Sequence, residues 1–259
     1  MFKINNSIMV QLKTEAEINI MRESGKITSD VLKLIANNIK PGITTKKLDE
    51  IADQFITASG GIPAFKGYGH DKNNLYPSTL CVSINDEVVH GIPSERKLKE
   101  GDIVSIDVGV KYKNYFSDSA STFSVGKIDS EKQRLMNVTK ESLEIGIQQA
   151  VAGNYVGDIS NAVQQYVEKA GFSIVRDLVG HGVGKDLHED PQIPNFGKVG
   201  EGLKLVEGMT LAIEPMVNAG KYKVVVGDDG WTIRTKDGSP SAHFEHTIVV
   251  RNGNAEILT

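Results

Sequence analysis

At 259 residues, with 39% apolar and 24% charged content, the chain has the make-up of a soluble globular protein long enough to bury roughly three quarters of its unfolded surface. A formal net charge of −4 argues against a general nucleic-acid binder, which carries a basic surplus, and the single cysteine, Cys81, excludes an intrachain disulfide and fits a reducing compartment. The opening residues lack an apolar run of signal-peptide length and no stretch approaches the ~20 residues of a membrane span, so a cytoplasmic location away from membranes is expected.

Thr14 and Glu17 are spaced as a capping box before the helical segment "INIMRESGKITSDVLKLIANNI", and "PGITTKKLDEIADQFITASG" (41–60) predicts an amphipathic helix between two glycines. In "LKEGDIVSIDVGV" (98–110), Val104, Ile106, Val108 and Val110 make one apolar face of a strand, with Asp107 on the other beside the small Ser105 and Gly109. "KYKN" reads as a turn into "YFSDSAST", where Asp118 is flanked by Ser117, Ser119 and Ala120, so the two acids can converge across a hairpin. Ser130 and Gln133 predict the cap of the helix "LMNVTKESLEIGIQQAV", and a second glycine-bounded helix follows in "AGNYVGDISNAVQQYVEKAG" (152–171). In "VGHGVGKDLHEDP" (179–191), three glycines would cost about 1 kcal/mol each inside a helix, which predicts loop or strand-edge backbone with space cleared around His181. "LVEGMTLAIEPMV" (205–217) repeats the strand pattern, with Glu214 opposite Leu211, Ile213 and Val217, and in "HFEHTIVV" Glu245 shares a face with Thr247.

The halves echo each other. Gly42 to Gly60 and Gly153 to Gly171 both span 18 positions, and an acid follows six residues after Gly101 and after Gly208; the offsets are 111 for the helices and 107 for the strands. This predicts a duplicated α+β chain, one domain over 1–259 with halves at approximately 14–125 and 129–250, and a pseudo-twofold antiparallel sheet covered by helices. Any one acid could simply mark a solvent face. Four that converge around a twofold would repel, at roughly 4 kcal/mol per pair 4 Å apart in an effective dielectric of 20. They must then protonate or bind metal, and two divalent cations balance four carboxylates with an imidazole such as His181 as a neutral extra ligand.

The segments "VVHGIP", "IDVG", "FSDSAST", "GHGVGKDLHEDP", "IEPMVNAG", "DGWT" and "FEHTIVV" resemble the type I methionine aminopeptidases in order and spacing over nearly the whole chain. The resemblance implies the family's pita-bread fold and two divalent ions, with cobalt, manganese, iron and zinc all compatible with an oxygen-rich set. It implies Asp107, Asp118, His181, Glu214 and Glu245 as ligands, Asp118 and Glu245 bridging the ions, Asp107 chelating one, and His181 with Glu214 completing the other. His90 and His188 match the family's substrate-contacting histidines, and Tyr68, Tyr76, Cys81 and Trp231 the walls of its methionine pocket. The implied reaction is metal-dependent removal of the N-terminal methionine when the second residue is small. Water between two such ions is acidified towards a pKa of about 7; Glu214 would relay its proton, His188 stabilise the carbonyl oxygen and His90 assist the leaving amine. The implied partner is a nascent polypeptide with its initiator methionine, with the ribosome an open candidate, no nucleic acid as substrate, and a monomer expected.

The 33 positions from His181 to Glu214 leave no space for the type II insert, and the short N-terminus fits the bacterial or organellar form. Two departures bear on the pocket: "GYGHDKNNLYP" is longer than usual, and Leu187 stands where an aromatic is common. His70, His243 and His246 receive no role, His246 being read as a packing or surface residue. Prolidases and proline-directed aminopeptidases, which use the same ligand types but usually carry an extra N-terminal domain, remain an alternative. So do a metal-free binding module and a two-metal phosphoesterase, although all five ligand positions are filled and no phosphate-cradling glycine loop is present.

Overall fold

In the computed structural model, which describes residues 2–3, 9–69 and 71–259, pairs of helices alternate with runs of strands. Helices α1 (Glu15–Ala36) and α2 (Thr45–Ala58) precede β1 (Ile62–Pro63), β2 (Leu80–Ile84), β3 (Ile103–Tyr112) and β4 (Tyr115–Ser124). Helices α3 (Ser130–Gln149) and α4 (Val156–Lys169) precede β5 (Val179–Gly182), β6 (Glu189–Pro194), β7 (Thr210–Ile213), β8 (Glu245–Val249) and β9 (Glu256–Ile257). These nine strands form one antiparallel sheet in the order β6-β5-β7-β8-β4-β3-β1, with β9 on β8 and β2 on β3.

Local chemistry sets the elements. The Thr14–Glu17 capping box opens α1 as predicted. The cap of α3 differs: Asp129 accepts from the Lys132 amide at 2.8 Å, and Ser130 is the first helical residue. An Asp one residue earlier supplies both a capping oxygen and a negative charge at the helix N-terminus, so it displaces the serine. Lys113 and Asn114, at φ 47° and 68°, form the two-residue turn joining β3 to β4, a backbone whose twist matches that of the hairpin. The row Val104, Ile106, Val108 and Val110 packs under Val31, Ile35, Leu48 and Ile56 of the first helix pair, while Leu211 and Ile213 pack under Leu143, Ile147 and Ile159 of the second. β3 is buried on both faces from Ile103 to Val110, so Asp107 does not mark a solvent face.

The duplication is written in hydrogen bonds. The Gly42 amide donates to Leu98 O at 2.8 Å and the Gly153 amide to Leu205 O at 3.0 Å; the Gly101 amide donates to Val125 O and the Gly208 amide to Val250 O. Gly101 and Gly208 share φ 88°, and Gly42 and Gly153 stand at 90° and 102°, backbone that only glycine adopts without strain. In β-pairing, Gly109 faces Asp118 in the first half and Met216 faces His243 in the second. Gly109 and Met216 are 107 apart, so His243 takes the place of Asp118.

Hydroxyl groups staple the seam between β4 and β8. The Asp118 amide donates to Thr247 Oγ1 (2.9 Å), which donates to Asp118 O (2.8 Å), and Ser119 Oγ donates to Glu245 O (2.7 Å). Thr247→Val should therefore orphan a buried amide and lower the unfolding free energy of the metal-free protein by about 1–3 kcal/mol in urea titrations. An unchanged midpoint would contradict the staple.

Candidate active site

Five adjacent strands each deliver one side chain to the centre of the sheet: Asp107 from β3, Asp118 from β4, His181 from β5, Glu214 just beyond β7, and Glu245 from β8. All five line one cavity with His90, His188, Tyr68, Tyr76, Cys81 and Trp231, so the structure brings together every residue singled out from the sequence. Its volume, about 120 Å³, suits a single side chain and little more. Phe65 and Leu187 complete the wall. Phe65 gave no signal in the sequence, and Leu187 packs with it, Tyr76 and Cys81.

Asp118, His181 and Glu245 each offer a ligand atom within 4.8 Å of the others, and all three are buried. Burial, then the neighbouring carboxylates, pushes Asp107 and Glu245 well above the usual carboxylate range; burial first, then the Glu214 charge, raises Asp118 to about 8, and burial alone raises Glu214 to about 8. Oδ1 of Asp107, Oδ1 of Asp118 and Oε1 of Glu245 are buried with no hydrogen-bond partner. Burial lowers His181 to about 3, so its ring is neutral. The ring donates from Nδ1 to Gly182 O at 2.8 Å, because a carbonyl only accepts, and this leaves a lone pair on Nε2. That lone pair faces Glu214 Oε1 at 3.6 Å. Once Glu214 is ionised, two acceptors face each other there among orphaned carboxylate oxygens, which fits divalent cations: the donor set is hard oxygen plus one imidazole with its proton on the far nitrogen.

The glycines beside His181 have a different purpose from the one expected. A Cβ on Gly180 would lie 2.4 Å from Ala212 O, and one on Gly182 would lie 2.3 Å from Asp190 O. They allow β5 to sit inside the sheet between β6 and β7, close to both neighbours, rather than clearing space in front of the ring. Gly184 makes room for the buried Lys13–Glu189 ion pair, and Glu189 Oε1 also accepts from the Lys185 and Asp186 amides. This ties down the loop that presents His188.

His188 is bonded through Nδ1 to the Tyr68 hydroxyl, and its ring meets that of His181 edge-on at 4.3 Å. His90 takes φ 60° at the end of the strand Glu87–Val89, and burial lowers its pKa to about 4. The Tyr76 hydroxyl donates to backbone oxygens of Leu80 and Gly91, so only its ring faces the cavity, edge-to-face with Trp231 at 5.2 Å. Trp231 Nε1 donates to Asn74 O at 3.2 Å, which holds Asn74 against the indole. Burial raises the Cys81 thiol well above its ordinary range, which keeps it a neutral wall residue. His246 bonds Thr259 Oγ1 at 3.0 Å away from the cavity, whereas His243, given no role from the sequence, is buried against Glu214. His70 lies outside the described residues.

The profile of metallopeptidase family M24 matches residues 19–252. The methionine aminopeptidase of Clostridium perfringens is 52% identical over 252 residues, covering 97% of this chain and 99% of that protein. The crystal structure of methionine aminopeptidase from Thermotoga maritima superposes with a TM-score of 0.94 at 48% identity, covering 97% of this chain and 99% of that one. Prolidase from Pyrococcus furiosus superposes with a TM-score of 0.76 at 21% identity, covering 96% of this chain but 65% of that one, a likeness of fold. End-to-end similarity to the first two and partial similarity to the third decide between the readings left open above. With a duplicated sheet, five metal-competent side chains at its centre and these relatives, the chain belongs to metallopeptidase family M24, among its methionine aminopeptidases.

Proposed function

We propose that this chain removes the N-terminal methionine from nascent polypeptides and peptides whose second residue is small, and that Asp107, Asp118, His181, Glu214 and Glu245 hold the two divalent cations the reaction uses. The observation that carries this reading is the set of buried, unpartnered oxygens of Asp107, Asp118 and Glu245 gathered with Glu214 and the lone pair of His181 Nε2 in a cavity sized for one side chain. Divalent cations at such a site supply Lewis acidity and a lowered pKa for water.

The protein groups divide the remaining work. Glu214, placed just beyond β7 among the residues that would hold the cations, takes the proton of the attacking water and passes it towards the leaving nitrogen. His188 has Nδ1 engaged by Tyr68, which frees Nε2 to donate to the scissile carbonyl oxygen as charge develops there. His90 contacts the scissile nitrogen. Tyr76, Trp231, Cys81 and Leu187 give a soft, aromatic enclosure that suits a thioether. The preference for a small second residue is carried over from the resemblance. Among the described residues no helix is long and apolar enough to cross a membrane. A single-domain, cytoplasmic monomer completes the proposal.

Metal-loaded protein should release methionine from Met-Ala-Ser and leave Ala-Pro-Ala intact, and Asp118→Ala should reduce turnover to background with an unchanged circular dichroism spectrum. Cleavage of Ala-Pro-Ala alone, or full activity in the variant, would refute the assignment.

A second test uses pH. Without metal, Asp118 and Glu214 keep their protons up to about 8, while the unfolded chain releases them near 4, so the native state binds more protons and stability falls as pH rises. The buried His90, His181 and His243, lowered to about 4, 3 and 3, act in the opposite sense below their ordinary 6.5 and are silent above it. Between pH 6.5 and 8 the Tm of metal-free protein should therefore fall, and excess Mn²⁺ should abolish the fall. A metal-free Tm that rises across this window would contradict the charge balance.

A further inference from the structure

Glu214 stands between two imidazoles, and only one of them has been given a role. On its Oε1 side lies the lone pair of His181 Nε2 at 3.6 Å, which cannot donate to an ionised Glu214. On its Oε2 side lies Nε2 of His243, at 3.4 Å. His243 is 1% exposed, neither ring nitrogen has a hydrogen-bond partner, and it does not line the cavity. Its backbone is fixed: the His243 amide donates to Thr122 Oγ1 at 2.9 Å, and that hydroxyl donates to His243 O at 2.8 Å.

The two halves explain the choice of residue. The position that carries Asp118 beside Asp107 in the first half carries His243 beside Glu214 in the second. A fifth carboxylate there would exceed the charge of two divalent cations, whereas a neutral ring with one N–H adds a donor and no charge. No backbone carbonyl fixes the tautomer of His243, so the acceptor it faces selects the Nε2–H form.

We propose that His243 is the positioning residue of Glu214, donating from Nε2–H to Oε2 and so keeping Oε1 turned towards His181 Nε2, where the two residues would hold a cation. This rests on the metal-site reading above and adds a residue to its support.

Calorimetric titration of metal-free protein with Co²⁺ alone tests it without reference to turnover. His243→Leu should weaken cobalt affinity about 10- to 100-fold, the usual loss when the partner of a metal ligand is removed. His243→Gln, whose amide can donate to the same oxygen, should stay within about threefold of the parent protein. Parental affinity in the leucine variant, or an equal loss in both variants, overturns the proposal. Nitrogen-15 spectra of the zinc-loaded parent protein give a second reading that needs no variant to fold: the His243 ring should be protonated at Nε2 and not at Nδ1, and the reverse tautomer overturns the assignment. Parent protein that takes up no cobalt would overturn the metal site and this inference with it, an outcome distinct from unequal or equal losses among variants that bind.

Discussion

Four carboxylates share one buried space in this protein, and their mutual repulsion is the constraint around which the sheet is arranged. Burial alone lifts each of them above the ordinary carboxylate range, and proximity adds to it for Asp107, Asp118 and Glu245. A fold could avoid such a cluster by spreading its acids over the surface. This one draws them from distant parts of the chain onto neighbouring strands, and leaves three of their oxygens without a partner. Aromatic rings and Leu187 wall the same cavity, so it offers few other polar groups to these oxygens. Positive charge from outside the polypeptide is the remaining way to keep the carboxylates ionised.

Duplication places two acid-bearing hairpins back to back, and sequence divergence then makes the two halves chemically unequal. Asp107 with Asp118 gives one half two acids; Glu214 with His243 gives the other an acid and a neutral ring. Glu245 joins them from the strand next to Asp118, across a seam closed by the hydroxyls of Thr247, Ser119 and Thr122. Ser119 and Thr122 of "FSDSAST" and Thr247 of "HTIVV" serve this seam: their hydroxyls satisfy backbone groups where the two halves meet, while Ser117 of the same run bonds Ser24 and Thr28 of α1. Functional groups therefore sit on rigid strands, while the loop bearing His188 is tied by Lys13 and Glu189.

Much of this was legible in the sequence, for identifiable reasons. The β3–β4 hairpin announces itself through period-two alternation, and the repeat through glycines whose positive φ leaves a residue-type mark at matching offsets. What escaped depends on approach between segments far apart in the chain. Gly180 and Gly182 look like clearance around a histidine until Ala212 and Asp190 are seen against them. Phe65 reaches the pocket from a loop with no pattern of its own. His243 was detectable in principle, since the repeat that pairs Asp107 with Glu214 also pairs Asp118 with His243. The second correspondence runs at an offset of 125, not 107, because the connection between the strands is longer in the second half, and a single-offset comparison passes over it.

Anomalous diffraction from crystals grown with Mn²⁺, recorded on both sides of the manganese absorption edge, bears most directly on the central claim. Two peaks among Asp107, Asp118, His181, Glu214 and Glu245 are expected, each within bonding distance of carboxylate oxygens. Clear density for those side chains with no anomalous signal between them, at a metal concentration that saturates turnover, would contradict the claim that cations hold the cluster together.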